Sequence, residues 1–355
     1  MNVFQKAVAI TAATMLGTAL VAVGAPAWAN PDERPAAPGH PPTGANQSVT
    51  INVLSDVQGD LTDFDTVLGA YASLSPADHM VVNGDLVSGG LPAQYEGFFD
   101  VLDQHEHPPA TYTIGNHEFD GGSDSQANVD RFLSYTQMPR VYHAQQVGGV
   151  PLLHIGSLQN PGEWAVDHQS TLGDEQLRWL DEQLDQYPKQ QPVLVFGHHP
   201  LPGSVSGTVG EGRQDYYDLD YAEADRLLAI LGDHPNVVFF SGHTHYNLRR
   251  DDWMNRVRTP DGDQHGFLAV NTGGIETEWG PNPGGPNQGE WSGSADHKQG
   301  LRVGVDGNRV TLTCLDFRTD EVIREVSVTM RGTYRPIERP DPAWPGSRIR
   351  TAVPD

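Results

Sequence analysis

The chain has 355 residues, enough for one large domain or two ordinary ones, and its hydrophobic fraction of 37% is sufficient for a real core. It carries 46 acidic against 22 basic residues, a formal net charge of -24, which argues against a basic surface that binds nucleic acid. The single cysteine, Cys314, excludes an intrachain disulfide and is predicted to be a small buried residue on a strand.

The N-terminal segment has the pattern of a secretory signal peptide. Lys6 precedes an apolar stretch from about Ala7 to Val23, and Ala27 and Ala29 form an A-x-A arrangement that predicts cleavage after Ala29. Because the apolar stretch is short for a membrane span, we favour cleavage over an uncleaved anchor. We therefore expect a protein that is secreted or held in the cell envelope, with no membrane span after cleavage.

Two Pro-rich polar segments flank the expected globular body. They are a linker at residues 30–46, after the signal peptide of residues 1–29, and a C-terminal tail at residues 333–355. The body between them, residues 47–332, is expected to form one domain without internal repeats.

Within this body, strand-like and helix-like segments alternate along the chain. The strand-like segments are VTINVL, HMVVN, ATYT, PLLHI, PVLVF and NVVFFS, and helix-like segments such as TLGDEQLRWLDEQL separate them. From Phe267 onward, further strand-like segments follow one another without a helix. This order predicts parallel strands covered by helices and an added antiparallel portion, which is an α/β layered fold.

Polar residues follow five of these strands at the point where each strand ends. In chain order they are Asp56, Gly84-Asp85, Gly115-Asn116-His117-Glu118, Gly197-His198-His199 and Gly242-His243-Thr244-His245. Each motif alone is weak, since a lone Gly-Asp is mostly a turn and a His-x-His is more often structural. Sites in open α/β sheets form beyond the carboxyl ends of the strands, so we expect the five groups to converge on one centre.

The residue types at these strand ends suit a two-metal hydrolytic site. Carboxylates, an amide oxygen and neutral imidazoles bind Zn, Mn or Fe, and one carboxylate can bridge two ions. Such a pair can clamp a phosphoryl group and activate a water molecule. A histidine that is not a ligand can then protonate the leaving group.

Together these motifs resemble the calcineurin-like metallophosphoesterase family over about residues 48–330. The resemblance implies a four-layer αββα sandwich of two mixed β-sheets flanked by helices, with a dinuclear metal centre. With the signal peptide, it predicts an exported metal-dependent phosphoesterase that hydrolyses phosphate mono- or diesters through in-line attack of a metal-bound hydroxide. The expected partner is a small phosphoester, while the natural substrate and the oligomeric state are left open.

The resemblance also assigns roles to individual residues. His117 corresponds to the histidine near the leaving group, which is not a ligand. Six residues correspond to ligands of two divalent or trivalent ions (Mn, Fe or Zn): Asp56 and His245 for the first ion, Asp85 as the bridge, and Asn116, His198 and His243 for the second.

Gln58 departs from the family pattern, which continues as Asp-x-His at the first motif. A glutamine can still bind a metal through its amide oxygen, but we expect weaker binding at the first site and a preference for Mn or Fe over Zn. Asp60 is an alternative carboxylate, although a role at the start of the next helix or in the loop before it is favoured. The alternative function is therefore a degenerate envelope protein that holds one metal or none and binds a ligand without turnover.

Several other residues are expected around the centre. Gln58, His199 and Glu118 are predicted either to bind metal or to orient the groups that do. Trp164, His168 and Arg213 are candidates for the substrate rim, with a solvated surface role as the default for the last two.

The remaining histidines and one long loop complete the predictions. His154 is expected in the core, whereas His143, His265 and His297 are expected in loops. Residues 276–297 are rich in Gly and Pro and contain two tryptophans, so they are either a binding flap or a disordered loop.

Overall fold

A computed structural model describes residues 48–160, 169–209, 217, 219–281 and 290–330, together with the backbone of Arg335–Pro336. The predicted signal peptide, the linker, most of the tail and the rim candidates Trp164, His168 and Arg213 lie outside these described residues. Within them, no helix has the length and apolar character that a membrane crossing requires.

Strands and helices alternate as predicted through most of the chain. The first part contains β1 (Val49–Leu54), α1 (Leu61–Ser73), β2 (His79–Asn83), α2 (Pro92–Leu102), β3 (Ala110–Thr113) and α3 (Ser125–Thr136). The second contains β4 (His143–Val147), β5 (Val150–His154), α4 (Gly173–Leu184), β6 (Val193–Phe196), α5 (Ala224–Gly232) and β7 (Val237–Ser241). The last contains β8 (Met254–Val257), β9 (Phe267–Asn271), β10 (Trp279–Pro281), β11 (Glu290–Ser292), β12 (Gln299–Asp306), β13 (Arg309–Asp316), β14 (Glu321–Thr329) and β15 (Arg335–Pro336).

Local sequence explains where the helices begin and which face they bury. The Asp60 carboxylate accepts a hydrogen bond from the Asp63 backbone N–H at 3.0 Å, so Asp60 caps α1, the role favoured from the sequence. In α4, Leu177, Leu180 and Leu184 recur at helical spacing and are fully buried, and the first turn is acidic.

The strands form two large mixed sheets. Sheet I has the order β15-β14-β13-β12-β1-β2-β3, in which β1, β2 and β3 are parallel and the other neighbours are antiparallel. Sheet II has the order β4-β5-β6-β7-β9-β8, in which β5, β6, β7 and β9 are parallel and both edge strands are antiparallel.

Three apolar layers hold these elements together. Neighbouring residues of a strand point to opposite faces. In β1, Val53 accordingly packs between the two sheets while Leu54 packs against the helices of sheet I. In β7, Phe240 packs between the sheets and Phe239 against α4 and α5. The described residues therefore form the predicted four-layer αββα sandwich.

Some elements were not predicted from the sequence. His143 was expected in a loop, but it is the first residue of β4 and is buried, so that prediction was wrong. The strand was missed because its sequence, HAQQV, is mostly polar, as suits an edge strand with one solvated face. His154, by contrast, lies in the core as expected. The β15 strand extends sheet I into the segment predicted as a tail.

Candidate metal centre

The five strand-end groups meet where the carboxyl ends of parallel strands from both sheets face each other. Two buried groups of ligand atoms result, and the atoms of each group lie within 4.8 Å of one another. One group is Asp56, Asp85 and His245, and the other is Asp85, His198 and His243. Since Asp85 belongs to both, the arrangement suits two cations bridged by one carboxylate.

Asn116 completes the second group. Its Oδ1 lies 3.2 Å from Nε2 of His198, and the same nitrogen lies 3.1 Å from Oδ2 of Asp85. In the first group, Nε2 of His245 lies 3.3 Å from Oδ1 of Asp56. The six predicted ligands are thus brought together, and their role as ligands stays a prediction.

Main-chain carbonyls orient two of the histidines. Nδ1 of His198 donates to the carbonyl oxygen of Asn83 at 2.9 Å, and Nδ1 of His245 donates to that of Thr277 at 2.8 Å. Each ring therefore turns Nε2 toward the carboxylates, which is the arrangement in which a neutral imidazole offers a lone pair to a metal.

The electrostatics of the centre favour bound positive charge. Burial raises the pKa of Asp85, but the imidazoles of His198 and His117 outweigh burial and hold that pKa well below its usual range. Burial likewise lowers the pKa of His198, yet Asp85 and Asp56 raise it to about 9. Two fully buried carboxylates need compensating charge, which a bound cation would supply in place of the proton on His198.

The backbone at the centre is strained in a way that points to function. Five predicted site residues have positive φ angles: Asp56 (57°), Gln58 (45°), Asp85 (53°), His243 (67°) and His245 (50°). Left-handed backbone in a non-glycine residue costs about 1 kcal/mol or more and persists where the surroundings enforce it. Such strain clusters at active sites, so it supports the location of the centre independently of the ligand chemistry.

Glycines allow the ligand loops to approach closely. Gly84 has a φ of +91°, and a Cβ there would lie 2.3 Å from Nδ1 of His198. A Cβ on Gly242 would lie 2.5 Å from Oδ2 of Asp56. Both positions therefore exclude any side chain, which accounts for the glycine that precedes Asp85 and the one that precedes His243.

Gln58 reaches the first ligand group. Its Nε2 lies 3.0 Å from Oδ2 of Asp85, to which it donates, and 3.0 Å from Nε2 of His245. Rotation of the terminal amide by 180° exchanges its nitrogen and oxygen, so the same position can present an oxygen to a cation. Gln58 is thus placed where a ligand of the first ion would lie.

Glu118 is an anchor for two ligand loops. Its Oε2 accepts from the backbone N–H groups of Asp85 (3.0 Å) and Gly115 (2.6 Å). Its Oε1 accepts from Leu86 (2.8 Å) and Val87 (3.3 Å). Burial and the nearby Asp85 carboxylate raise the pKa of Glu118 to about 7, although the backbone donors oppose the rise. Of the two roles predicted for this residue, orientation of the ligands is the one its contacts support.

His117 lies beside the ligand groups with its ring partly exposed. Its Nε2 is 3.9 Å from Oδ2 of Asp85, and its Nδ1 is 3.0 Å from Oδ2 of Asp120. Burial lowers the pKa of His117, but Asp85 and Asp120 outweigh burial and raise it to about 10. A protonated imidazole at the edge of the centre suits a general acid.

His199 packs against His243, and the segment 276–297 contacts His245 through the Thr277 carbonyl and the Trp279 N–H. The rings of His199 and His243 are 4.6 Å apart between centroids. The described parts of the segment form the β10–β11 hairpin, and Glu290 of β11 accepts a hydrogen bond from the Tyr217 hydroxyl at 2.9 Å. The described ends of this loop are therefore ordered strands attached to the centre.

Sequence reasoning missed several residues that contact the centre. Asp120 follows His117 by three residues, and this spacing could have indicated a contact between the two side chains. Ser55 donates to Oδ2 of Asp56 at 2.5 Å and could have been sought because it precedes a predicted ligand. Asp220 lies more than 20 residues from the nearest motif in sequence, so no local pattern indicated it. Tyr217 is the last residue of the segment 203–217, which the sequence had suggested for the substrate rim.

Comparison with known proteins agrees with this geometry. The family model described as calcineurin-like phosphoesterase matches residues 49–247. A second family model, described as a domain of unknown function (DUF4073), matches residues 247–338.

Two curated relatives cover about half of the chain. The 3′,5′-cyclic adenosine monophosphate phosphodiesterase CpdA of Escherichia coli (strain K12) is 27% identical over 188 residues, which are 50% of this chain and 58% of that protein. The probable glycerophosphodiester phosphodiesterase GpdQ of Arcobacter nitrofigilis is 28% identical over 180 residues, 49% of this chain and 59% of that protein. The chain thus spans less than two thirds of the length of each.

A solved structure of PhoD shares the fold. It superposes with a TM-score of 0.55 at 14% identity, over 87% of this chain and 75% of that one. At this identity the likeness concerns the fold alone.

Proposed function

The chain belongs to the calcineurin-like phosphoesterase family, and we propose that it hydrolyses phosphoric ester bonds with the help of two metal ions. The observation that carries the proposal is the position of Asp85, whose carboxylate belongs to both buried ligand groups. A single carboxylate in two such groups is the arrangement that a dinuclear centre requires.

Six residues of the centre would bind the metal ions, and His117 would transfer a proton. Asp56, Asp85 and His245 would hold the first ion. Asp85, Asn116, His198 and His243 would hold the second. The ions, when bound, would supply Lewis-acid activation of water and of the phosphoryl group. His117, whose Nδ1 contacts Asp120, would donate a proton to the leaving oxygen.

We propose phosphodiesters as the first substrates to test. The two relatives carry the names of a cyclic nucleotide phosphodiesterase and a glycerophosphodiester phosphodiesterase. Monoesters belong in the same test, because they too present non-bridging phosphoryl oxygens to a pair of cations.

The test combines metal analysis with turnover. Purified protein reconstituted with Mn, Fe or Zn is expected to bind two equivalents of metal and to hydrolyse bis-aryl phosphate, aryl phosphate, or both. A panel of cyclic nucleotides and glycerophosphodiesters then identifies the preferred class. One equivalent of metal or none, with no turnover under any metal, would contradict the proposal.

A second candidate function is a degenerate site, and Gln58 favours it. The Gln58 amide nitrogen lies within hydrogen-bonding distance of Asp85 and His245, so it can satisfy these ligands without a cation. In that case the protein would bind one ion at the second group and hold a phosphoester without cleaving it. A stoichiometry of one metal with measurable binding of phosphate would support this function.

We propose further that the protein is exported. The support is the signal-like N-terminus described above, with the A-x-A arrangement before Asn30. N-terminal sequencing of the protein recovered from the envelope or medium is expected to begin at Asn30. Recovery in the cytoplasm of a chain that begins at Met1 would contradict this proposal.

A further inference from the structure

His243 differs from the other two histidine ligands in the group that faces its outer nitrogen. His198 and His245 donate to main-chain carbonyls, and the carboxylate nearest to the outer nitrogen of His245, that of Glu276, is 3.7 Å away and only half-buried. Nε2 of His243 instead lies 3.4 Å from Oδ2 of Asp220, and both side chains are buried. A carboxylate behind a metal-binding imidazole fixes the orientation of the ring and makes it a stronger donor.

The main chain fixes the position of Asp220. The carbonyl oxygen of Asp220 accepts from the Ser170 N–H at 2.7 Å, and the Ala222 N–H donates to Ser170 at 3.0 Å. Between them, the Tyr221 hydroxyl donates to the carbonyl of His199 at 3.0 Å. These hydrogen bonds attach residues 220–222 to the loop that carries His198, so the backbone at Asp220 has a fixed position relative to the centre.

Neighbouring rings restrict the orientation of the His243 ring. Its centroid lies 5.2 Å from that of His198, 4.6 Å from His199 and 5.1 Å from Tyr217. Within such a slot the ring can still turn by 180° about the Cβ–Cγ bond, which exchanges nitrogen and carbon positions. A carboxylate opposite Nε2 favours one of these two orientations, because the other would place a carbon there.

We propose that Asp220 is a positioning residue for the second metal site. It holds His243 with Nε2–H toward the carboxylate, so that Nδ1 faces the group formed with Asp85 and His198. This inference rests on the proposed function, since it requires that the second group binds a cation.

Cobalt(II) titration of the metal-free protein tests this role without relying on turnover. In the wild type, absorption spectroscopy and calorimetry are expected to resolve two binding events. Asp220→Asn keeps the size of the side chain but loses its charge. It should lower the cobalt affinity of one binding event by about 10–100-fold and leave the affinity of the other unchanged. His243→Ala should remove the same event.

Asp316→Asn is the matched control. Asp316 is as deeply buried as Asp220, and at the end of β13 in sheet I it pairs with Arg249 at 2.9 Å. Its substitution should lower stability and leave both cobalt affinities unchanged. Equal weakening by both substitutions would mean that Asp220 acts only through stability, which would overturn the proposal.

The nitrogen that binds the metal provides a second readout. In zinc-loaded wild-type protein, ¹⁵N NMR of His243 should show a metal-bound Nδ1 and a protonated Nε2. Metal at Nε2 would overturn the proposal even if Asp220→Asn failed to fold. If the wild type binds no metal, the proposed function fails. If it binds two ions and Asp220→Asn binds both normally, only the role of Asp220 fails.

Discussion

Asn116 is proposed to supply an uncharged oxygen to the second metal, whose other proposed ligands are a carboxylate and two imidazoles. Its side chain touches His198 and is not part of an apolar layer. Removal of this amide should therefore affect metal binding much more than folding.

We expect Asn116→Ala to lower turnover by more than about 100-fold, because loss of a group that merely supports a metal ligand already costs about 10–100-fold. The melting temperature of the metal-free protein should stay close to that of the wild type. Steady-state kinetics and calorimetry check both, with the exposed Asn255→Ala as control. Retention of activity in Asn116→Ala would refute the assignment.

Gln58→His restores the family pattern at the first motif. We expect tighter binding of the first ion and a shift in preference toward Zn, since an imidazole nitrogen replaces a neutral oxygen. Competitive titrations with Zn and Mn measure the change. Gln137→His is a close control, because Gln137 also has a positive φ (57°) but ends α3. Unchanged first-site affinity in Gln58→His would mean that Gln58 does not limit the site.

Glu118→Gln tests the anchor of the two ligand loops. The carboxylate accepts four backbone N–H groups, whereas an amide would turn its NH₂ toward some of them. We expect a loss of about 1–3 kcal/mol in unfolding free energy together with weaker metal binding. Urea unfolding measures the unfolding free energy, with the exposed Glu96→Gln as control. An unchanged unfolding free energy in Glu118→Gln would show that the two ligand loops keep their positions without this carboxylate.

Four neighbouring strands enclose a group of buried histidines away from the centre. His79 of β2 contacts Gln145 of β4 at 2.8 Å, which links sheet I to sheet II. His143 of β4 stacks on His154 of β5, with 4.5 Å between ring centroids. Burial lowers the pKa of His79 and of His143 to about 4, and it lowers that of His154 as well. Folding therefore requires all three to be neutral.

This histidine group should make the sandwich sensitive to acid. Below pH 6.5 the unfolded chain binds protons that the folded chain excludes, so each histidine removes up to about 1.4 kcal/mol of stability per pH unit until its folded pKa is reached. We expect His154→Phe, which keeps a ring beside Phe196, to reduce the loss of unfolding free energy between pH 7 and 5 by about 1–2 kcal/mol. Urea titrations at several pH values check this, with the exposed His107→Phe as control. An identical pH dependence in His154→Phe would contradict the expectation.

The two family matches meet at Asn247, but the structure is not divided there. Strand β1, in the first match, pairs with β12, in the second, from Val49–Val305 to Val53–Leu301. Strand β7 likewise pairs with β9. The second match thus supplies four of the seven strands of sheet I and the β9 and β8 strands of sheet II, and it also carries Thr277, which orients His245.

A chain that ends at residue 247 should therefore not fold as a unit. Without the strands that follow residue 247, β1 would become a sheet edge and the apolar layer between the sheets would be uncovered. We expect aggregation and no cooperative thermal transition, measured by light scattering and calorimetry. A chain that ends at residue 337 keeps β15 and should melt like the full protein. A soluble, cooperatively folded short chain would contradict this view of the sandwich.

Local patterns in the sequence were enough for the alternating elements, the layered fold and the candidate ligands. Period-two and period-3.6 apolar patterns reflect burial of one face, and every ligand motif lies directly after a strand. Edge strands such as β4 and β8 escaped prediction because their pairing, and not their own hydrophobicity, makes them strands.

Tertiary structure decided which distant groups meet at the centre. Asp220 reaches His243, Tyr217 reaches Glu290, and Thr277 orients His245, across gaps of 23 to 73 residues that no local pattern spans. It also placed Gln58 against Asp85 and His245, contacts that the sequence could not give, although Gln58 was already expected to weaken the first site. The physical reason is that local propensity depends on neighbours in the chain, whereas the orientation of a ligand depends on neighbours in space.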